Sequence, residues 1–310
     1  MKVLFVRSGN KGIDPISTNQ GNSLIREGLE VGYFDIIGRG IPGYLSNILR
    51  LRKYIGSFRP DILHAHYAIS GFIAPLSGRR IPVGVSLMGS EIHSSGRLMK
   101  YLIKCYTRFG WDFTIVKSST MYDSLKYSKA VIIPNGVNLE AFCPIDMDEC
   151  REKLGWDKNS RHILFASDPE RPEKNFELAR QALELLEKEN VGFKLHFLKD
   201  IPQSEMVYYF NAADVLLMTS RNEGSPNVIK EAMACNCPII TTNVGDVKST
   251  IGSTRNTFIT NYSASEIKDK LLAILSINER TDGRANIRHL ESRSVANRLI
   301  ELYQKALNHD

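Results

Sequence analysis

The chain has 310 residues, enough for two domains of ordinary size. Hydrophobic residues make up 43% and charged residues 24%, the balance of a soluble globular protein, and no apolar stretch approaches the ~20 residues of a membrane span. A formal charge of +6 favours anionic partners, yet no nucleic-acid-binding motif accompanies it, so nucleic acid is not an expected partner.

The N-terminal MKVLFVRSGN has only four apolar residues before Arg7 and reads as a buried first strand rather than a signal peptide. Short apolar runs then alternate with helical patterns, the mark of parallel sheets with crossover helices. Strands are predicted at 3–6, 33–37, 62–65, 83–87, 113–116 and 131–133, with helices at 21–29, 44–58, 69–76, 98–109 and 119–127. Pro134-Asn135-Gly136 is a turn signal, and the polar stretch 137–158 reads as an irregular connection. The pattern restarts with strands at 162–166, 194–198, 215–218, 238–242 and 257–260 and helices at 176–188, 204–212, 227–234 and 265–276. A last amphipathic helix covers 292–307. The expected organisation is an N-terminal Rossmann-like domain over 1–140, a second over 141–290, and a closing helix in 291–310 that packs back on the first. Neither half has a G-x-G-x-x-G after its first strand, so a nicotinamide enzyme lacks its fingerprint. Five cysteines without zinc-like spacing predict reduced thiols and a cytoplasmic location.

The stretch from Arg221 to Asp246, RNEGSPNVIKEAMACNCPIITTNVGD, is the most informative. Glu223 and Glu231 stand eight positions apart, with Gly224, Ser225 and Pro226 after the first. Serine is a good N-cap and proline is favoured at the first helical position, so Ser225-Pro226 marks a helix start. Unpaired amides and the helix dipole there suit a phosphate. Eight residues are a little over two helical turns, which predicts that Glu231 faces the same crevice as Glu223. Acids on both sides of a phosphate site suit a sugar nucleotide.

Three segments carry a family resemblance. VIIPNGVNLEAFCP (131–144), NAADVLLMTS (211–220) and the acid pair within NEGSPNVIKEAMACNCPII are together similar to family 4 glycosyltransferases, and the likeness runs through nearly the whole chain. It implies an α/β fold of two Rossmann-like domains facing a central cleft (GT-B type). It also implies retaining transfer of a sugar from a nucleoside-diphosphate sugar to an acceptor hydroxyl. A cell-surface polysaccharide or glycolipid role follows, with a glycan or lipid-linked acceptor, no cofactor and no metal.

By the same resemblance Glu223 meets hydroxyls of the donor sugar and Glu231 those of the ribose. The backbone from Gly224 and Ser225 through Pro226 and Asn227 to Val228 approaches the diphosphate, and contacts to the base come from 198–202. Lys174 stands where the family's phosphate-binding lysine does. Arg171, three residues before it where the family's arginine is five before, takes the arginine's role. Two cations at a helix start would neutralise a leaving diphosphate. Gly9 and Asn10 would shape the loop facing the donor phosphates from the first domain.

The first domain departs further from the family pattern. DILHAH (61–66) resembles its D-x-x-H-x-H, with His64 read as packing and His66 either packed or reaching the cleft. Family members often carry a His-Gly pair followed by an acid after the next strand; here Met88, Gly89 and Glu91 stand there. Methionine neither transfers protons nor makes a strong hydrogen bond. Either His66 or His93 substitutes, or the leaving phosphate accepts the acceptor's proton with no enzymic base. Glu91 either orients a substrate or is a helix-start carboxylate. Seven cations from Arg97 to Lys129, and the cluster Arg50, Arg52 and Lys53, read either as solvated helix faces or as contacts with anionic lipid at the inner face of the cell membrane. A nucleotide-sugar epimerase and a non-catalytic binding subunit on the same scaffold are the alternatives.

Overall fold

The computed structural model describes residues 1–308 apart from 11, 13, 39, 78–80, 94–95 and 278, and the side chains of Ile41 and His93 also lie outside the description. The chain divides into two compact units, Met1–Gly136 with Ser292–Asp310, and Val137–Glu291.

The first unit opens with β1 (Lys2–Ser8), α1 (Pro15–Arg26), β2 (Glu30–Ile36), α2 (Gly40–Leu45), α3 (Asn47–Phe58) and β3 (Ile62–His66). It continues through α4 (Ala68–Ser77), β4 (Val83–Ser86), α5 (Ser90–His93), α6 (Arg97–Phe109), β5 (Phe113–Val116), α7 (Ser119–Leu125) and β6 (Val131–Ile132). Its six strands are parallel in the order β2-β1-β3-β4-β5-β6.

The second unit holds α8 (Met147–Leu154), β7 (Arg161–Phe165), α9 (Phe176–Glu187), β8 (Phe193–Phe197), α10 (Met206–Ala212) and β9 (Val215–Met218). After them come α11 (Asn227–Ala234), β10 (Ile239–Thr242), α12 (Val247–Ile251), β11 (Thr257–Thr260), α13 (Ala264–Ile277) and α14 (Gly283–Asn286). Its five parallel strands run β11-β10-β9-β7-β8. The last helix, α15 (Ser292–Leu307), returns to the first unit.

Strand alternation explains how both sheets are covered. Leu4, Val6, Leu63 and Ala65 point to the side covered by α3, α4 and α6, whereas Val3, Phe5 and Ile62 pack with Leu24 of α1 and Val295, Leu299 and Tyr303 of α15. In the second unit Leu164, Leu216 and Ile239 meet α10 and α11, while Ile163, Val215, Leu217 and Ile240 meet α9 and α13.

The short helices α5, α12 and α14 were not expected from the sequence, and three further differences have a local cause. The first helix begins at Pro15 rather than Gly21, because the Asp14 carboxylate accepts from the amides of Ile16 and Ser17 and caps it. Gly21 lies inside that helix, where a Cβ would stand 2.0 Å from the Tyr33 hydroxyl. The helix expected over 44–58 is broken at Ser46, with Asn47 Nδ2 donating to the carbonyls of Ile37 (2.9 Å) and Gly43 (2.6 Å). The stretch 137–158 is not wholly irregular: Asp146 caps α8 through the amides of Asp148 and Glu149, and Gly155 ends it in the left-handed conformation.

Candidate functional site

The chain leaves β7 for β8 on one side of the second sheet and resumes at β9 on the other. Open parallel sheets bind ligands beyond the strand ends where the order reverses in this way. The loops after β7 and β9 meet there. After β7 the chain forms a 3-10 turn, Pro172–Lys174, and passes through Asn175 in the left-handed conformation. After β9, Thr219 Oγ1 donates to the carbonyls of Lys174 (3.1 Å) and Asn175 (2.9 Å). The Arg221 amide donates to Glu173 O at 2.9 Å, and its guanidinium to Asn175 Oδ1 at 2.9 Å.

With the two loops so fastened, Lys174 Nζ donates to Glu223 Oε1 at 2.6 Å, and both side chains are mostly buried. The expected phosphate and sugar groups are thereby brought together. Arg171 stands outside this contact, its guanidinium held in the open on Glu173 Oε1 at 2.6 and 2.9 Å.

Glu231 lies in the middle of α11, buried, with Gln203 Nε2 donating to its Oε1 at 3.4 Å. Burial pushes its pKa up to about 7, against the pull of the Gln203 hydrogen bond and the Lys230 charge. Glu223 and Glu231 are not two turns apart on one helix. The helix begins at Asn227, so half of the interval from Glu223 to Glu231 is loop, and no single helical phase relates them.

Ser225 does not cap that helix. Pro226 occupies the cap position, while Ser225 Oγ donates to Asp246 Oδ2 at 2.7 Å and accepts from Lys230 Nζ. Lys230 pairs with Asp246 at 3.0 Å, both fully enclosed. The only trace of this triad in the sequence is a lysine at an inward position of α11, beside Glu231. A third loop leans on the site: Gly245 (φ 59) lies so close that a Cβ there would stand 2.6 Å from the Gly224 carbonyl oxygen. Thr242 Oγ1 and the Tyr262 hydroxyl both donate to Ser220 O, at 2.6 and 3.1 Å.

In the first unit the strands end on different chemistry. The Gly9 amide donates to Ile36 O at 2.8 Å, and the Asn10 side chain exchanges hydrogen bonds with the Gly38 backbone at 2.7 and 2.9 Å. His66 does not reach a surface. His64 and His66, two apart on β3, face the side covered by α1 and α15, so their rings stack at 4.7 Å, with Phe5 4.7 Å from His66. His64 bonds the Tyr303 hydroxyl (2.6 Å) and Ser86 Oγ (2.9 Å), as a packed residue would. The ring of His66 is 1% exposed, and neither of its nitrogens has a hydrogen-bond partner among the described residues.

Glu91 is also turned inward. Its oxygens accept from the amides of Ala68 and Met88, each at 3.1 Å, which ties the loop after β4 to the start of α4. Its carboxylate braces the backbone, and burial raises its pKa against the pull of those amides. Gly89 takes φ 115, a conformation that favours glycine.

Comparison with known proteins fits this geometry. The Glycosyltransferase Family 4 model matches residues 15–141, and the model for glycosyl transferases group 1 matches residues 179–289. The chain belongs to the family 4 glycosyltransferases. A relative within this group is the putative teichuronic acid biosynthesis glycosyltransferase TuaC of Bacillus subtilis, 26% identical over 281 residues, covering 80% of this chain and 71% of that one. The D-inositol 3-phosphate glycosyltransferase of Frankia alni is 23% identical over 62% of this chain and 59% of its own length. Among solved structures, sucrose-phosphate synthase from Thermosynechococcus elongatus superposes with a TM-score of 0.82 at 17% identity, covering 100% of this chain and 99% of that one. Anabaena HepE in complex with UDP-glucose gives 0.81 at 13% identity, covering 98% and 100%. These structural likenesses establish the GT-B fold.

Proposed function

We propose that the protein moves a sugar from a nucleoside-diphosphate sugar to an acceptor hydroxyl with retention, in the synthesis of a cell-surface polysaccharide or glycolipid. The observation that carries this reading is the Lys174–Glu223 pair at the switch point of the second sheet. Lys174, with Arg171 nearby in sequence, supplies positive charge for the leaving diphosphate, a task the proposal assigns to side chains rather than to a metal ion. Glu223 takes the donor sugar and Glu231 the ribose. The amides of Gly224, Ser225, Asn227 and Val228 are the backbone donors for phosphate; Pro226 has none.

The inward positions of His66 and Glu91 favour the version in which the leaving phosphate accepts the acceptor's proton. The TuaC likeness supports a polysaccharide product, and the HepE complex makes UDP-glucose the first donor to try. The acceptor side includes contact with anionic lipid: α6 has four cations and no acid, and it exposes Leu98, Tyr101 and Phe109. Among the described residues no helix is long and apolar enough to cross a membrane. A calorimetric screen of nucleoside diphosphates, followed by transfer assays with the sugar of the base that binds, tests the reading. Binding of none of them would overturn it.

A further inference from the structure

The loops after β7 and β9 carry three cations, Arg171, Lys174 and Arg221. Two of them are committed to carboxylates, Lys174 to Glu223 and Arg171 to Glu173, each at 2.6 Å. Arg221 is engaged differently. Among the described residues its guanidinium makes one hydrogen bond, from Nη2 to the neutral amide oxygen of Asn175 at 2.9 Å, and no ion pair. The other N–H donors of its fork are open to a ligand.

The backbone beneath this side chain is fixed from three loops. The Arg221 amide donates to Glu173 O at 2.9 Å, and Thr242 Oγ1 donates to Ser220 O at 2.6 Å. The Tyr262 hydroxyl reaches the carbonyls of Ser220 (3.1 Å) and Arg221 (3.4 Å). Asn175, which orients the guanidinium, is buried at φ 54 directly after Lys174. Arg221 and Glu223, two apart on one loop, therefore engage Asn175 and Lys174, neighbours on the other. An arginine with a fixed backbone, an oriented plane and unengaged donors is preorganised for a two-point contact with phosphate.

We propose that Arg221 binds the terminal phosphate of the nucleoside diphosphate. The role rests on the sugar-transfer reading and adds to it a residue that the motif spacing does not point to. When the bond between sugar and phosphate oxygen breaks, its electron pair stays on that oxygen, and the guanidinium meets the added charge.

Calorimetry on the full chain with inorganic pyrophosphate, with UDP, GDP and ADP, and with the matching monophosphates tests this. Arg221→Gln should weaken pyrophosphate and the nucleoside diphosphate that binds about tenfold, the scale of one lost charge-assisted contact. The monophosphate of the same base should keep its wild-type affinity, which also reports an intact fold. Arg221→Lys, which keeps the charge without the planar fork, should recover only part of the loss. An unchanged pyrophosphate affinity, an equal loss for monophosphate and diphosphate, or a larger loss from Arg171→Gln than from Arg221→Gln would overturn the proposal. If the wild type binds pyrophosphate through Arg221 but none of the nucleotides, the sugar-transfer reading falls and the phosphate site stands. If it binds neither, both fall.

Discussion

Lys174 and Glu223 are each other's ion-pair partners at 2.6 Å although 49 positions separate them. Each restrains the other, so removing one leaves a mostly buried charge uncompensated. Lys174→Ala is expected to weaken nucleoside-diphosphate binding about tenfold, and Glu223→Gln to lower kcat by about a hundredfold with a much smaller effect on that affinity. The double variant should deviate from additivity by about 0.5–3 kcal/mol. Titration calorimetry and initial rates on the four proteins decide this, and strict additivity would refute a shared role.

Glu231, with a pKa of about 7, carries a proton part of the time at neutral pH. Ribose hydroxyls donating to its carboxylate would favour the charged form and lower that pKa, so nucleotide binding should expel a proton. At pH 7 the measured binding enthalpy should differ between buffers of unlike ionisation enthalpy. Glu231→Gln should largely remove this difference, and Glu231→Ala should also weaken binding. An unchanged affinity in the alanine variant would exclude the ribose role.

The enclosed pair of Lys230 and Asp246 is a stability element. Lys230→Met leaves Asp246 buried without its cation and should cost about 3–5 kcal/mol. Urea unfolding followed by fluorescence should show the midpoint falling, and Asp246→Asn, which leaves Lys230 enclosed without its anion, should lower it as well. A midpoint unmoved by Lys230→Met would mean that the pair contributes nothing net.

Acid should destabilise the first unit through its stacked histidines. Burial lowers the His64 pKa to about 3 and that of His66 well below its usual value, while unfolded histidines titrate near ~6.5. Below ~6.5 the unfolded chain therefore binds more protons than the folded one, and stability falls as pH drops toward 3. His66→Leu removes one of these groups without breaking a hydrogen bond seen in the structure. The variant should stay within about 1.5 kcal/mol of wild type at pH 7.5 and lose less than wild type on going to pH 5. Parallel pH profiles for the two proteins would contradict this account.

The exposed cations and apolar side chains of α6 predict sedimentation with anionic vesicles at low salt and release at high salt. Replacing Lys100, Lys104 and Arg108 together by Gln should abolish it. Equal sedimentation with neutral vesicles would argue for a purely apolar contact.

Much of the fold was legible because buried parallel strands are short apolar runs, and 215–218 and 257–260 match β9 and β11 residue for residue. The site was legible in its residue types but less so in their arrangement. Lys174 meets Glu223 only because β7 and β9 are neighbours, a relation set by sheet order that local periodicity does not encode. The hydroxyl of Ser225 had a choice between capping a helix and joining Asp246, and the second partner lies 21 residues away. Period two puts His64 and His66 on one side of the sheet, but which helices seal that side depends on α15, more than 200 residues later.

That last dependence has a bearing on how the protein is made. The chain emerges from the ribosome N-terminus first, yet the first unit is closed by Tyr303, fully enclosed against His64 and Phe113. Residues 137–291 can therefore complete their own sheet while the opening six strands still lack part of one wall. Until α15 arrives, Val3, Phe5 and Ile62 have only the α1 side of their cover, around Leu24. The earliest part of the chain to be synthesised is thus the last to reach its finished core, and it is the part whose nascent form most needs protection from aggregation.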